Sequence, residues 1–141
     1  MDKKVIDFIT KNRVCVLAVV LSDGTPHTAT LHYSEQPEPL RLYFSTTRSS
    51  KKFTAFKEAE STQASVVIGF SEEEWLTLQM NGEVRVVPAG RLTDVHQVHY
   101  QKHPDAEQYK DSPNTVFLEF TPTWWRYTDF NTDPETILTS G

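Results

Sequence analysis

The sequence is poor in cysteine, glycine and long apolar runs, and each scarcity excludes something. Cys15 is the single cysteine among 141 residues, so no disulfide can form within the chain and a reducing compartment is expected. Its neighbours Val14, Val16 and Leu17 are apolar, which marks the thiol as core packing rather than a nucleophile. With five glycines, neither GxxxxGK[ST] nor GxGxxG occurs. The longest apolar run, Val14–Leu21, is too short to span a bilayer, and the opening MDKKVIDFITKN is charged and periodic, unlike a secretory leader. No membrane partner and a cytoplasmic location are the expectation. Positive charge is scarce too: 14 Lys and Arg against 19 Asp and Glu leave a formal net charge of -5. A nucleic-acid binder usually carries a basic stripe, so no nucleic-acid partner is expected. An oligonucleotide-binding barrel is further disfavoured because the aromatics fall late rather than along one strand face.

What is present suits one domain over residues 1–141, with 38% hydrophobic and 11% aromatic residues to build a single core. Val5, Phe8 and Ile9 at i, i+3, i+4 predict a short amphipathic helix over 3–12. VCVLAVVL is β-branched and predicts a strand buried on both faces. Asp23-Gly24 suits a tight hairpin turn. PHTATLHYS then alternates, with Ala29, Leu31 and Tyr33 on one face and Thr28, Thr30 and His32 on the other. LRLYFS, ASVVIGF and WLTLQMNGEVRVV are further strands, the last with Gly82 as a bend or bulge. Helices are predicted over 50–59, with Phe53 and Phe56 inward, and over 91–102, ended by His103-Pro104. TVFLEFT is a strand, Pro122 a break and WWRYTD a last short strand. Six or seven hairpin-linked strands without regular βαβ alternation predict a small, mainly β antiparallel barrel with flanking helices.

TTRSSKK, residues 46–52, puts three cations at the start of the predicted 50–59 helix. A helix start is already electropositive, so cations there are normally unfavourable unless an anion joins them. Ser50 as N-cap, Thr46 at the strand end, Lys51, Lys52 and Arg48 together would make a phosphate seat. A solvated charge cluster on a helix end accounts for the same residues, and both readings remain open on physical grounds.

STTRSSKK also resembles the phosphate-binding segment of the pyridoxamine 5'-phosphate oxidase-like, FMN-binding split-barrel family. Thr46, Ser50, Lys51 and Lys52 match that segment position by position, and the order of elements matches over nearly the whole chain. The resemblance implies a six-stranded antiparallel Greek-key split β-barrel, a homodimer with FMN at the subunit interface, and a flavin-dependent oxidoreductase. It implies that Thr28, Ala29, Thr30 and Leu31 line the flavin ring, although barrel alternation alone explains their pattern equally well. The family's Gln before the long-strand glycine falls on Thr77 here, with Gln79 two residues on. Trp124, Trp125 and Tyr127 would cover the flavin or fill the dimer interface. The Arg-containing C-terminal substrate motif of the true oxidases has no counterpart in TDPETILTSG, so another small-molecule substrate and its electron donor are expected.

His96, His99 and His103 fall roughly on one helix face. No carboxylate or cysteine is spaced to complete a metal site with them, and a polar, exposed face is the expectation. Haem-binding relatives of the fold make an axial ligand the alternative, so a non-catalytic haem- or flavin-binding module stands beside the oxidoreductase reading. No carboxylate pair suggests acid–base chemistry, which a flavoenzyme does not require.

Overall fold

Val5, Phe8 and Ile9 form the buried stripe of helix α1 (Lys3–Lys11) in the computed structural model, which describes residues 1–141. The Asp2 carboxylate accepts from the Lys4 backbone N–H at 2.8 Å and starts the helix, and the Asn12 side-chain amide donates to the Phe8 carbonyl at its end. Eight strands follow: β1 (Val14–Val20), β2 (Pro26–His32), β3 (Ser34–Gln36), β4 (Arg41–Thr47), β5 (Ser61–Ile68), β6 (Leu76–Val86), β7 (Thr115–Asp129) and β8 (Thr136–Thr139). They pair antiparallel in the order β2-β1-β5-β6-β7-β4-β3, with β8 added to β7. The two ends of that path, β2 and β3, are consecutive in the chain across Tyr33, and no ladder joins them. The sheet therefore curls into a barrel that is split at this seam. The mainly β architecture with flanking helices is as the sequence implies. Its strand count is larger, because β3 and β8 are short segments without an alternating apolar pattern.

The barrel core takes one face of each strand: Cys15, Leu17 and Val19 from β1, Val66 and Ile68 from β5, Leu78, Met80 and Val84 from β6, and Leu118 and Phe120 from β7. Tyr33 at the seam is fully buried, and its hydroxyl donates to the Ile9 carbonyl at 2.6 Å, tying α1 to the barrel. A smaller cluster on the outside, Tyr43, Val87, Val95, Tyr100 and Phe117, seats helix α2 (Leu92–Lys102) against β4 and β7. Neither helix is long and apolar enough to cross a membrane.

Asp23-Gly24 lies in the tight turn of the β1–β2 hairpin, where the Leu21 N–H donates to the Thr25 carbonyl at 2.8 Å and the Gly24 N–H to the Leu21 carbonyl at 2.9 Å, with Gly24 at φ +87°. Three local expectations are corrected. β1 buries only one face within the chain, and its other face, Val14, Val16, Ala18 and Val20, stays partly or fully exposed. The predicted 50–59 helix is a six-residue 3-10 helix, Lys51–Phe56, whose buried residues are Lys52 and Ala55 rather than the two phenylalanines. Pro122 does not end a strand. β7 runs through it because the register shifts at Asn81/Gly82, where Pro122 faces Gly82 and its missing N–H breaks no regular ladder.

Candidate functional site

Antiparallel register places paired residues on the same face, so the open outer face of the sheet can be read row by row. Thr30 of β2 lies beside Val16 of β1, Val67 of β5, Gln79 of β6 and Arg126 of β7. The adjacent row is Thr28, Ala18, Ser65, Asn81 and Trp124. Valines and an alanine make the centre, with hydroxyls, amides and an arginine around them. A groove of about 600 Å³ lies on this face, lined by Ala18, Val20, Pro26, Ser65, Asn81 and Thr123 among others.

The predicted ring-lining stretch divides between two faces. Thr28 and Thr30 are exposed on the open face, and Ala29 and Leu31 are half-buried on the barrel side. Thr77 is half-buried and pairs with Thr128, one row beyond Gln79. Gln79, which the spacing argument passes over, shares the row of Thr30. The signal that identifies it is the cross-strand register, which a linear count back from Gly82 does not contain.

The 3-10 helix sits at the hairpin end of this face. The Ser22 hydroxyl donates to the Thr54 carbonyl at 2.9 Å, and the Thr62 hydroxyl to the Val20 carbonyl at 2.6 Å. Ser50 does not cap the helix: its hydroxyl donates to the Thr47 carbonyl at 2.8 Å and leaves the helix N–H groups to other partners. A helix this short has little macrodipole, so the electropositive character of the segment comes from side chains. Arg48 turns toward the loop before β7, where its Nε donates to the Pro113 carbonyl at 3.2 Å and its guanidinium lies over Phe53. Lys51 is exposed.

Lys52 is different. The residue is only 8% exposed, but what is buried is its stem: the ammonium reaches solvent and has neither a hydrogen bond nor a carboxylate within ion-pair distance in the chain. Burial lowers its pKa. A lysine with a buried stem and an ammonium that no group of the chain neutralises is an arrangement that an external anion would complete. Thr46, buried on β4 beside Val116, likewise has no hydrogen-bond partner in the chain for its hydroxyl. A phosphate group has the charge and acceptor oxygens these two side chains lack.

The histidines depart from the exposed polar face expected of them. His99 and His103 are 2% and 5% exposed. A 2.8 Å hydrogen bond links His99 Nδ1 and the Ser34 hydroxyl, and His103 Nε2 donates to the Tyr33 carbonyl at 2.6 Å. His103 stacks edge-on with His32 and packs against His99, which also meets Phe117; His96 is half-buried. These contacts stitch α2 over the β2–β3 seam. Lys102 supports the same seam, donating to Glu35 at 2.6 Å and lying over the Tyr33 ring. No three His, Cys, Asp or Glu side chains come together in a metal-binding cluster.

Burial, followed by the positive charge of neighbouring His103, His32, His96 and Lys102, pushes the His99 pKa down to about 3. Burial lowers His103 as well. Both are neutral in the folded chain, so the unfolded chain binds more protons at acid pH. Stability is therefore full above roughly pH 6.5, the unperturbed histidine value, and falls as pH drops toward 3. Melting temperature measured across that window should decline. His99→Asn should flatten the decline, and an equally steep profile in the variant would remove His99 as its source.

Tyr127 is in the core, edge-on to Phe8, and Trp125 packs partly against that core. Trp124 lies on the open face, where its indole N–H donates to the Gly141 carbonyl at 3.0 Å and Arg126 stacks over it. Of the late aromatics, only Trp124 is placed to cover something bound there.

A family model described as pyridoxamine 5'-phosphate oxidase matches residues 1–129. No curated protein matches the chain in sequence. Solved structures resemble it in fold. A Clostridium acetobutylicum protein related to general stress protein 26, of the pyridoxinephosphate oxidase family, is 12% identical with a TM-score of 0.70, over 99% of this chain and 97% of that one. A pyridoxamine 5'-phosphate oxidase-related, FMN-binding protein from Nostoc punctiforme is 15% identical with a TM-score of 0.70, over 97% of this chain and 88% of that one. A heme-binding protein from Mycobacterium smegmatis is 11% identical with a TM-score of 0.72, over 95% of this chain and 57% of that one.

Proposed function

Because the chain belongs to the pyridoxamine 5'-phosphate oxidase family, we propose that it binds FMN and serves as a flavin-dependent oxidoreductase acting on a small molecule. The observation that carries the proposal is Lys52, whose stem is buried and whose ammonium has no partner in its own chain. The FMN phosphate would be held by Lys52 and Thr46, with Ser50 and Lys51 at the rim and Arg48 shaping the loop. The backbone of residues 28–31 and the side chains of Thr28 and Thr30 would face the ring. Gln79, in the row of Thr30, and Thr77 offer polar contacts along the same face. FMN bound there would supply hydride or electron transfer between a small donor and the substrate. The chain's own part is to neutralise the phosphate, fix the ring against a rigid sheet and restrict water around it.

A homodimer belongs to the same reading. The outward side of β1 is apolar, and Val20 is 37% exposed. Pairing with a second copy would bury that side and satisfy the two-faced hydrophobicity of VCVLAVVL. The free thiol of Cys15, buried in the core, suits the cytoplasm.

The test is titration with FMN. A red shift and structuring of the flavin absorbance bands, together with a rise in melting temperature, is the expected result. A flat spectrum and an unchanged melting temperature would remove the proposal, and a Soret band on haem addition instead would favour the binding-module alternative.

A further inference from the structure

The outer face of the opposite half of the barrel carries a second cavity, of about 480 Å³, lined by charged and polar side chains and Pro39. Register builds its floor: Arg85 of β6 lies beside Glu119 of β7, Glu83 beside Thr121, and Gln36 of β3 beside Arg41 of β4. Arg91, in the turn leading into α2, closes over the same floor. Three guanidinium groups and two carboxylates therefore surround one polar space, in a chain that is acidic as a whole.

Glu119 accounts for two of the arginines. It is 2% exposed, and Arg85 Nε donates to its Oε1 at 3.1 Å while Arg91 Nη2 lies 2.6 Å from Oε2. Burial alone would raise its pKa, but the bonds and charges of Arg91 and Arg85 outweigh burial and hold the carboxyl below its usual range. Each of those arginines spends one nitrogen on Glu119, and their side chains remain 43% and 40% exposed. Arg41 has no such explanation. Its Nη1 donates to the Leu40 carbonyl at 2.7 Å, and it pairs with no carboxylate. The planar guanidinium fork matches the paired oxygens of carboxylate and phosphate groups, and the volume is within the range of small-molecule sites.

We propose that this cavity binds the oxyanion group, carboxylate or phosphate, of a small anionic molecule, with Arg41 as its anchoring cation and Glu119 holding Arg85 and Arg91 in place. The site is distinct from the Lys52 seat and does not depend on flavin. It borders the open face all the same, since Glu83 and Thr123 line both the cavity and the groove there. A molecule anchored by its anionic end at Arg41 would extend toward that groove.

Calorimetric titration of the full chain with citrate and, separately, with inorganic phosphate at low ionic strength tests the proposal. Binding of either probe is expected. A preference for citrate assigns a carboxylate ligand, a preference for phosphate a phosphate ligand, and equal binding an oxyanion of either kind. Arg41→Gln should weaken binding about tenfold, as for one lost charge-assisted contact, with melting temperature and FMN titration unchanged. Lys51→Glu with Lys52→Glu should leave citrate binding intact. Absence of binding for both probes, wild-type affinity in Arg41→Gln, or loss of binding only in the lysine variant would each overturn the assignment. The flavin reading stands or falls separately, on the absorbance titration.

Discussion

FMN is expected to stay free in solution when Lys51 and Lys52 are both replaced by glutamate. Each charge-assisted hydrogen bond to a phosphate contributes roughly 1.5–3 kcal/mol, and every 1.4 kcal/mol is a factor of ten. Removing two and reversing their sign should raise the dissociation constant by about a hundredfold or more. Flavin absorbance retained after gel filtration is the measurement, and wild-type flavin content in the double variant would refute the phosphate assignment. Lys52→Met is the sharper companion, because it keeps the length of the side chain and removes only the charge. Partial burial lowers the Lys52 pKa, so its unneutralised charge costs the folded chain some stability. Lys52→Met should therefore raise the melting temperature of the FMN-free protein while weakening FMN. A lysine kept only for packing or solubility predicts no such opposition between the two readouts.

Gly82→Ala should be among the most damaging single-methyl additions in the chain. A Cβ there would run into the Thr121 backbone carbonyl and approach the Pro122 Cα at 2.9 Å. Neither is a flexible side-chain end that could swing aside. Overpacking a rigid site typically costs 1–3 kcal/mol, and backbone contacts place this one at about 3 kcal/mol or above. For a domain of this size that corresponds to a drop in melting temperature on the order of 10 °C. Thermal unfolding followed by circular dichroism decides it, and a wild-type melting curve would show that the Asn81/Gly82 register shift can relax.

The parts of the molecule that were legible in the sequence are those whose signal is local. Val5, Phe8 and Ile9 announce α1 by their spacing, and the alternation in PHTATLHYS announces β2. Gly82 announces its bulge because a glycine inside a strand pattern has few other uses. β3 and β8 were hidden because Ser34–Gln36 and Thr136–Thr139 carry no apolar rhythm of their own and pair only because a neighbour offers an edge. Pro122 misled because its meaning depends on what lies across from it. His99 and His103 read as a polar surface from residue type alone, whereas Ser34 and the Tyr33 carbonyl satisfy them in the interior. Of the candidate site, the TTRSSKK cluster was visible as charge, but nothing in the sequence distinguishes buried Lys52 from exposed Lys51. The arginine cavity was invisible for a stricter reason. Arg41, Arg85, Arg91 and Glu119 come from separate strands and a turn, and only register brings them together.

The split at Tyr33 has a consequence for the order in which this chain can acquire its shape. β1 and β2 close a hairpin early, and β5 and β6 can follow by local zipping. β4 finds its long partner only in β7, with β5, β6 and α2 lying between them in the chain. A nascent chain emerging from the ribosome would therefore hold β3 and β4 as an unsealed flap until Thr115–Asp129 has been made. Such late, long-range closure carries a large loop-entropy cost and slows folding. The pairing of β4 with β7 is thus the step at which a chaperone would have most to protect, and a ribosome stalled before Thr115 should display β4 as a protease-sensitive edge.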